Sequence, residues 1–254
     1  MESAWQQLTD TVSRRGAGLW FLIDPDKTGP EYARSVASEA WRHGCDAVLL
    51  GASTGHPERF AEVAKSVFGH CPCPLLIFPN GAAQVVPHAD AILFMSLLSG
   101  RNPRFLVDEQ VKGAPRVAEY GLEAISTAYL LVGSGQVSSV QHVSLTQPIA
   151  RQDSELAYAH ALAARYLGMR LLYLEAGSGA PEPVPSAMVA RCREAGLPVA
   201  VGGGVRTPEA ACDLVQSGAS FIVVGNRFEE RPDWALLAEI ASVAHSKEAV
   251  RVHS

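Results

Sequence analysis

The stretch Pro198-Val199-Ala200-Val201-Gly202-Gly203-Gly204-Val205-Arg206-Thr207-Pro208-Glu209 decides the fold. It joins a short apolar run to three consecutive glycines and then to a helix start, with Thr207 as cap, Pro208 at the first helical position and an acid in the first turn. A continuous apolar run of this length reads as a parallel strand covered on both faces.

The same unit recurs on either side. Strands are expected at Leu19–Asp24, Ala47–Gly51, Leu75–Pro79, Ala91–Ser96, Ala124–Val132, Leu171–Ala176, Pro198–Gly202 and Phe221–Gly225. Helical patterns follow at Pro30–His43, Pro57–Phe68, Arg104–Tyr120, Asp153–Leu167, Pro185–Ala195, Thr207–Ser217 and Asp233–Ser246, with Gly44, Gly196 and Gly218 at helix stops. Between the third and fourth strands only Asn80–Asp90 remains, with Pro87 inside it, which is too short for a crossover helix and its loops. The expectation is an α/β fold, a (β/α)8 TIM-type barrel with its third helix missing or replaced by a loop. A doubly wound open sheet competes, but eight strands and the position of the glycines weigh against it. The polar linker 133–151 reads as a lid or substrate cover.

A chain of 254 residues, 48% hydrophobic and 19% charged, suits one barrel domain over 1–254. A net charge of −5 supplies no basic field for nucleic acid, yet leaves room for an anion held by backbone amides. No apolar stretch approaches a transmembrane span, so any lipid would be met from the surface. Five cysteines without a CxxC pair or a signal sequence point to reduced thiols in a cytoplasm, and Cys71-Pro-Cys73 reads as structural rather than metal-binding.

Function in such a barrel collects at the C-terminal strand ends, with phosphate commonly held after the last strands. Gly177-Ser178-Gly179, Gly202-Gly203-Gly204 and Gly225-Asn226 fall there, and the triple glycine leads into a helix N-terminus that favours an anion. Asp24-Pro25-Asp26 ends the first strand, and Ser53 follows the second. A carboxylate with a nearby hydroxyl suits Mg2+, which keeps water and substrate phosphate in its shell; the alternative is an Asp-Pro turn capping the next helix. Glu175, beside Tyr173 in an otherwise apolar strand end, reads either as a proton acceptor or as a salt-bridge partner of Lys27 or Arg206. The histidines show no ligand spacing.

Taken together, Ile23-Asp24-Pro25-Asp26-Lys27, Gly51–Gly55, Tyr173-Leu174-Glu175-Ala176-Gly177-Ser178-Gly179, the triple glycine and Val224-Gly225-Asn226 resemble the geranylgeranylglyceryl phosphate synthase family. The segment Leu97-Leu98-Ser99-Gly100-Arg101-Asn102-Pro103 resembles its branch that includes bacterial members. The resemblance implies a barrel with a replaced third helix and a Mg2+-dependent prenyltransferase. Its reaction would move a polyprenyl group, geranylgeranyl by the family's habit, from its diphosphate to the 3-hydroxyl of sn-glycerol 1-phosphate, giving an ether-lipid precursor. Carried across, Asp24 and Ser53 match the metal positions. Tyr173, Leu174, Glu175, Ala176, Gly177, Ser178, Gly179, Gly203, Gly204, Gly225 and Asn226 match the glycerol-phosphate site, with Glu175 the candidate catalytic group. Two positions depart from the pattern: Ala52 replaces a glycine beside the metal site, and Leu22 stands where some relatives carry Lys.

Phe94, Leu97 and Leu98 are expected along the prenyl groove or in ordinary core packing. A homo-oligomer is expected on general grounds. Two readings compete with the synthase. A phosphosugar isomerase or aldolase would need an acid–base pair or a Schiff-base lysine at the strand ends. A barrel that keeps its ligand site without catalysis is the other.

Overall fold

The computed structural model describes residues 2–52, 56–135, 138–225 and 232–246. Eight parallel strands close into a barrel in chain order: β1 (Gly18–Ile23), β2 (Ala47–Leu50), β3 (Leu75–Ile77), β4 (Ala91–Leu97), β5 (Glu123–Leu131), β6 (Leu171–Glu175), β7 (Val199–Gly202) and β8 (Phe221–Val224). The closing register pairs Gly18 with Phe221 and Phe21 with Val224. All eight lie where the apolar runs place them, differing only at their ends.

The period-two alternation of each strand divides the core in two. Trp20, Leu49, Leu76, Leu93, Tyr173 and Phe221 fill the barrel interior. Leu19, Phe21, Ile23, Val48 and Leu50 face outward, against the helical layer. That layer comprises α2 (Pro30–Arg42), α3 (Pro57–Val67), α4 (Glu109–Glu119), α6 (Ser154–Tyr166), α7 (Ser186–Arg193), α8 (Pro208–Gln216) and α9 (Trp234–Ala244). After β3 the chain makes only a 3-10 turn, Ala82–Gln84, as the short connection requires. Helix α4 is entered through a π-helical turn, Arg104–Asp108.

Two helices escape the periodicity reading. Helix α1 (Ala4–Arg15) buries only Ala4 and Leu8, too narrow a stripe to stand out. It closes the lower end of the barrel, with Trp5 6.2 Å from the Phe221 ring and the Arg170 guanidinium 5.0 Å above Trp5. Helix α5 (Ser139–Ser144) lies inside the linker 133–151, which is therefore not all loop; a parallel bridge, Val132 to Ile149, anchors that segment to the end of β5.

The lower rim is tied by Asp46. Its Oδ2 accepts the Leu19 amide at 2.8 Å and faces His245 Nε2 at 2.8 Å, while Oδ1 meets Arg15 at 3.2 Å. The exposed Arg15 adds little, but the buried amide has no substitute for its acceptor. Asp46→Ala should therefore cost about 2–3 kcal/mol in denaturant unfolding; a loss below about 0.5 kcal/mol would show that the rim is held by packing alone.

Candidate active site

Each strand delivers its last residues to the opposite, upper rim, where a cavity of about 770 Å³ opens. Asp24, Gly51, Ala52, Tyr173, Glu175, Gly177, Ser178, Gly179, Gly203, Gly204 and Gly225 all line it, so the structure brings the expected metal and phosphate positions to one chamber. Leu174 and Ala176 face away, into the packing between barrel and helices, as alternation along β6 demands. Their connection to the site is through the backbone alone. Ser53 and Asn226 lie outside the described residues.

Glu175 is the last residue of β6 and is only 7% exposed. Its Oε1 accepts the Gly177 amide at 2.6 Å. Burial drives its pKa up to about 7, while the Gly177 amide and the neighbouring Tyr173 hydroxyl favour the charged form and hold it partly down. Neither salt bridge considered for it is formed: Arg206 donates instead to the carbonyls of Gly179 and Ala180, each at 3.0 Å, pinning the β6 loop to the β7 loop. The Tyr173 hydroxyl is fully buried and closes no hydrogen bond of good geometry. Burial first, then the Glu175 charge, pushes its pKa well above the usual phenol value.

Glycine is required on the floor beneath this carboxylate. A Cβ on Gly202 would lie 2.4 Å from the Tyr173 hydroxyl and 2.7 Å from Glu175 Oε2. One on Gly203, whose φ is +81°, would lie 2.6 Å from Glu175 Oε1 and 2.7 Å from the Gly177 carbonyl. The triple glycine thus serves first to let β7 pass under a buried carboxylate. Its second consequence is electrostatic: the Gly203 and Gly204 amides donate to no acceptor among the described residues, just before the Thr207-capped start of α8. Gly177 is different, because its amide is spent on Glu175.

Across the mouth, Asp24 follows β1 and is half-buried. It accepts the Asp26 amide at 3.0 Å. Burial and the Asp26 charge raise its pKa, against that hydrogen bond and Lys27. Ala52 is held by a buried side chain, since Gln84 Nε2 donates to its carbonyl at 2.9 Å. No cluster of three or more His, Cys, Asp or Glu suited to a metal occurs among the described residues. Mg2+ asks for fewer protein ligands than that, using one or two carboxylates with water and phosphate, and Asp24 is a hard oxygen donor facing open cavity. Leu22, beside it, packs against Gly225.

The rest of the chamber is apolar. Phe78, Tyr129 and Tyr173 form a ring stack, with centroids 5.1 Å apart for Phe78–Tyr173 and 5.4 Å for Tyr129–Tyr173. Phe94, Met95, Leu97 and Phe105 continue that wall, and Val140 and Val143 of α5 roof it. Of the groove residues expected from sequence, Phe94 and Leu97 line the cavity, whereas Leu98 packs into the outer core. Sequence reasoning missed Phe78, Tyr129 and Phe105. Only the inward phase of β5 and the ends of β3 and α4 could have indicated them. It also missed α5, although Ser138-Ser139-Val140-Gln141 carries a capping pattern, and Ser138 does accept the Gln141 amide at 3.1 Å.

Known proteins resemble this chain over most of its length. A geranylgeranylglyceryl phosphate synthase of Methanopyrus kandleri is 46% identical over 220 residues, covering 86% of this chain and 90% of that protein. One from Korarchaeum cryptofilum is 45% identical over 234 residues, with 92% and 94% coverage. The crystal structure of (S)-3-O-geranylgeranylglyceryl phosphate synthase from Thermoplasma acidophilum, in complex with its substrate sn-glycerol-1-phosphate, superposes with a TM-score of 0.89 at 36% identity, covering 96% of this chain and 99% of that one. The model of the PcrB family matches residues 11–244, and the chain belongs to that family.

Proposed function

We propose that this protein is a geranylgeranylglyceryl phosphate synthase, which transfers a polyprenyl group from its diphosphate to the 3-hydroxyl of sn-glycerol 1-phosphate, with Mg2+ as its metal. The observation that carries this reading is the buried Glu175 carboxylate, set between an apolar chamber and two glycine amides that have no acceptor among the described residues. The relatives named above support the same activity.

The two ends of the chamber divide the work. The phosphate of glycerol phosphate suits the Gly203 and Gly204 amides and the α8 N-terminus, where a dianion meets aligned dipoles. That seat directs the glycerol hydroxyls toward Glu175. A carboxylate titrating near 7 can take the proton of the attacking 3-hydroxyl as the new C–O bond forms. Tyr173, whose buried hydroxyl lies beside that carboxylate, is placed to hold it or a glycerol oxygen. The aromatic stack and the β4 wall suit the prenyl chain, whose burial orients its reactive carbon and excludes water. Asp24, with Ser53, would hold Mg2+. When bound, the ion screens the diphosphate and eases its departure.

The competing enzymatic reading fares worse: among the described residues, the cavity wall bears no lysine for a Schiff base and no histidine. A non-catalytic barrel would have little use for a buried carboxylate that destabilises the fold.

Purified protein with Mg2+, sn-glycerol 1-phosphate and labelled prenyl diphosphates of several lengths should give an ether product. No product at any length would rule the activity out. Glu175→Gln should stay folded and lose about 10²–10⁴-fold in turnover, and the wild-type kcat/KM should rise with pH through about 7, as the base loses its proton. The stability effect has the opposite sense. A carboxyl raised from 4.5 to about 7 favours the fold below pH 4.5 and loses that contribution as pH climbs through 7. Glu175→Gln should therefore unfold at higher denaturant than wild type at pH 8, by up to about 3 kcal/mol; equal stability at pH 5 and pH 8 would deny the buried charge. Asp24→Ala should lower kcat/KM for the diphosphate at least about 100-fold at limiting Mg2+, with partial recovery as Mg2+ is raised. An unchanged Mg2+ titration would remove Asp24 from the metal site.

A further inference from the structure

Outside the upper rim, the densest set of reactive side chains lies at the opposite end of the barrel, in the turn joining α3 to β3. Cys71 and Cys73 flank Pro72, and their sulfurs stand 3.0 Å apart. Both are partly exposed, while Pro72 is exposed at the tip. The proline fixes its own φ and so limits how far the two thiols can separate. A disulfide bond requires about 2.05 Å, so roughly 1 Å of approach would join them. Pro74 accepts the Val48 amide at 3.0 Å, and the Leu75 amide donates to Asp90 at 2.8 Å, so the turn has a firm base on which a new bond can close.

We propose that Cys71 and Cys73 form a peroxide-oxidisable dithiol, which closes reversibly to a Cys71–Cys73 disulfide. The Cys71 thiolate attacks one oxygen of a hydroperoxide. The O–O bond breaks, the far oxygen leaves as water or alcohol, and Cys71 becomes a sulfenic acid. The Cys73 sulfur then attacks the Cys71 sulfur. The S–O bond breaks, and the oxygen departs as a second water carrying the Cys73 proton. Two thiols lose two electrons and two protons, and the peroxide takes up both.

The order of attack follows from the hydrogen bond between the sulfurs. The Cys71 thiol points its own hydrogen at the Ala37 carbonyl, 3.7 Å away, which leaves Cys73 as the donor between the sulfurs. That contact lowers the Cys71 thiol to about 7 against partial burial, while the same contact and burial raise Cys73. Cys71 is thus the nucleophile and Cys73 the resolving thiol. The third nearby cysteine, Cys45, is buried and its thiol is pushed up by that burial, so it takes no part. Closing so short a loop adds little chain entropy. Its effect is chemical: an accessible thiolate is diverted from irreversible over-oxidation into a bond that a dithiol reductant reopens. The lower rim is the stability face of such a barrel, so activity should be indifferent to the state of the pair.

The test uses the full chain and hydrogen peroxide. Trypsin releases residues 66–101 as one peptide that holds both cysteines and no other. After mild peroxide that peptide should be lighter by two hydrogens, regain them with dithiothreitol, and leave the synthase rate within about two-fold. In Cys73→Ser, Cys71 should be trapped as a sulfenic acid by dimedone, and in Cys71→Ser the same dose should leave Cys73 unmodified. Cys71 and Cys73 both still free thiols after peroxide, a disulfide to Cys45, or direct passage of Cys71 to sulfonic acid would each overturn the proposal.

Discussion

Burying the Glu175 carboxylate at the end of β6 sets terms for the whole upper rim. A charge taken out of water must find hydrogen bonds or give up its charge. Here it does some of both, accepting the Gly177 amide and titrating near 7. The neighbouring strand must then pass so close that a Cβ at position 202 or 203 would lie within 3 Å of it, which no side chain there would permit. The β6 loop must double back over the same point, and Arg206 fixes it there through two carbonyls. What reads in the sequence as two separate glycine motifs, Gly177-Ser178-Gly179 and Gly202-Gly203-Gly204, is one physical requirement met from two strands.

The other half of the chamber follows from a subtraction. Where a third helix would cover β3 and β4, the chain makes one 3-10 turn, and α4 reaches over to hold it. Glu109 accepts the Ala82 amide at 2.8 Å and pairs with Arg104 at 3.0 Å. Partial burial pushes its pKa up, but the Ala82 amide, Arg104 and Lys112 outweigh it, so its pKa is lowered overall. The space gained is apolar and runs away from the Gly203–Gly204 end, past Phe78 and Phe94 toward Phe105. Glu175 stands where the glycine-rich end and this apolar flank meet.

Much of this is legible in the sequence. Parallel strands buried on both faces leave unbroken apolar runs, so Ala47–Leu50 and Phe221–Val224 were plain, and the short Asn80–Asp90 interval announced the missing helix. Helix α1 was not legible by periodicity, because its buried stripe is Ala4 and Leu8 alone, although Ser3 three residues before Gln6 is a capping signal that Ser3 fulfils with the Gln6 amide at 3.1 Å. Residue types named Asp24, Glu175 and the glycines as candidates. They could not say that Leu174 and Ala176 point into the outer core, or that the Gly177 amide is already committed. Those are facts of strand phase and loop closure. The aromatic stack of Phe78, Tyr129 and Tyr173 joins three strands far apart in sequence, so no local pattern carries it.

The central claim is that Glu175 sits between the phosphate seat and the prenyl chamber, facing the attacking hydroxyl. A crystal structure with sn-glycerol 1-phosphate and a non-reactive prenyl thiodiphosphate tests it most directly. The account expects the glycerol phosphate oxygens on the Gly203 and Gly204 amides, the 3-hydroxyl within about 3 Å of Glu175, and the prenyl chain against Phe78 and Phe94. A glycerol phosphate bound with its 3-hydroxyl turned away from Glu175, or a prenyl chain lying elsewhere on the barrel, would contradict it.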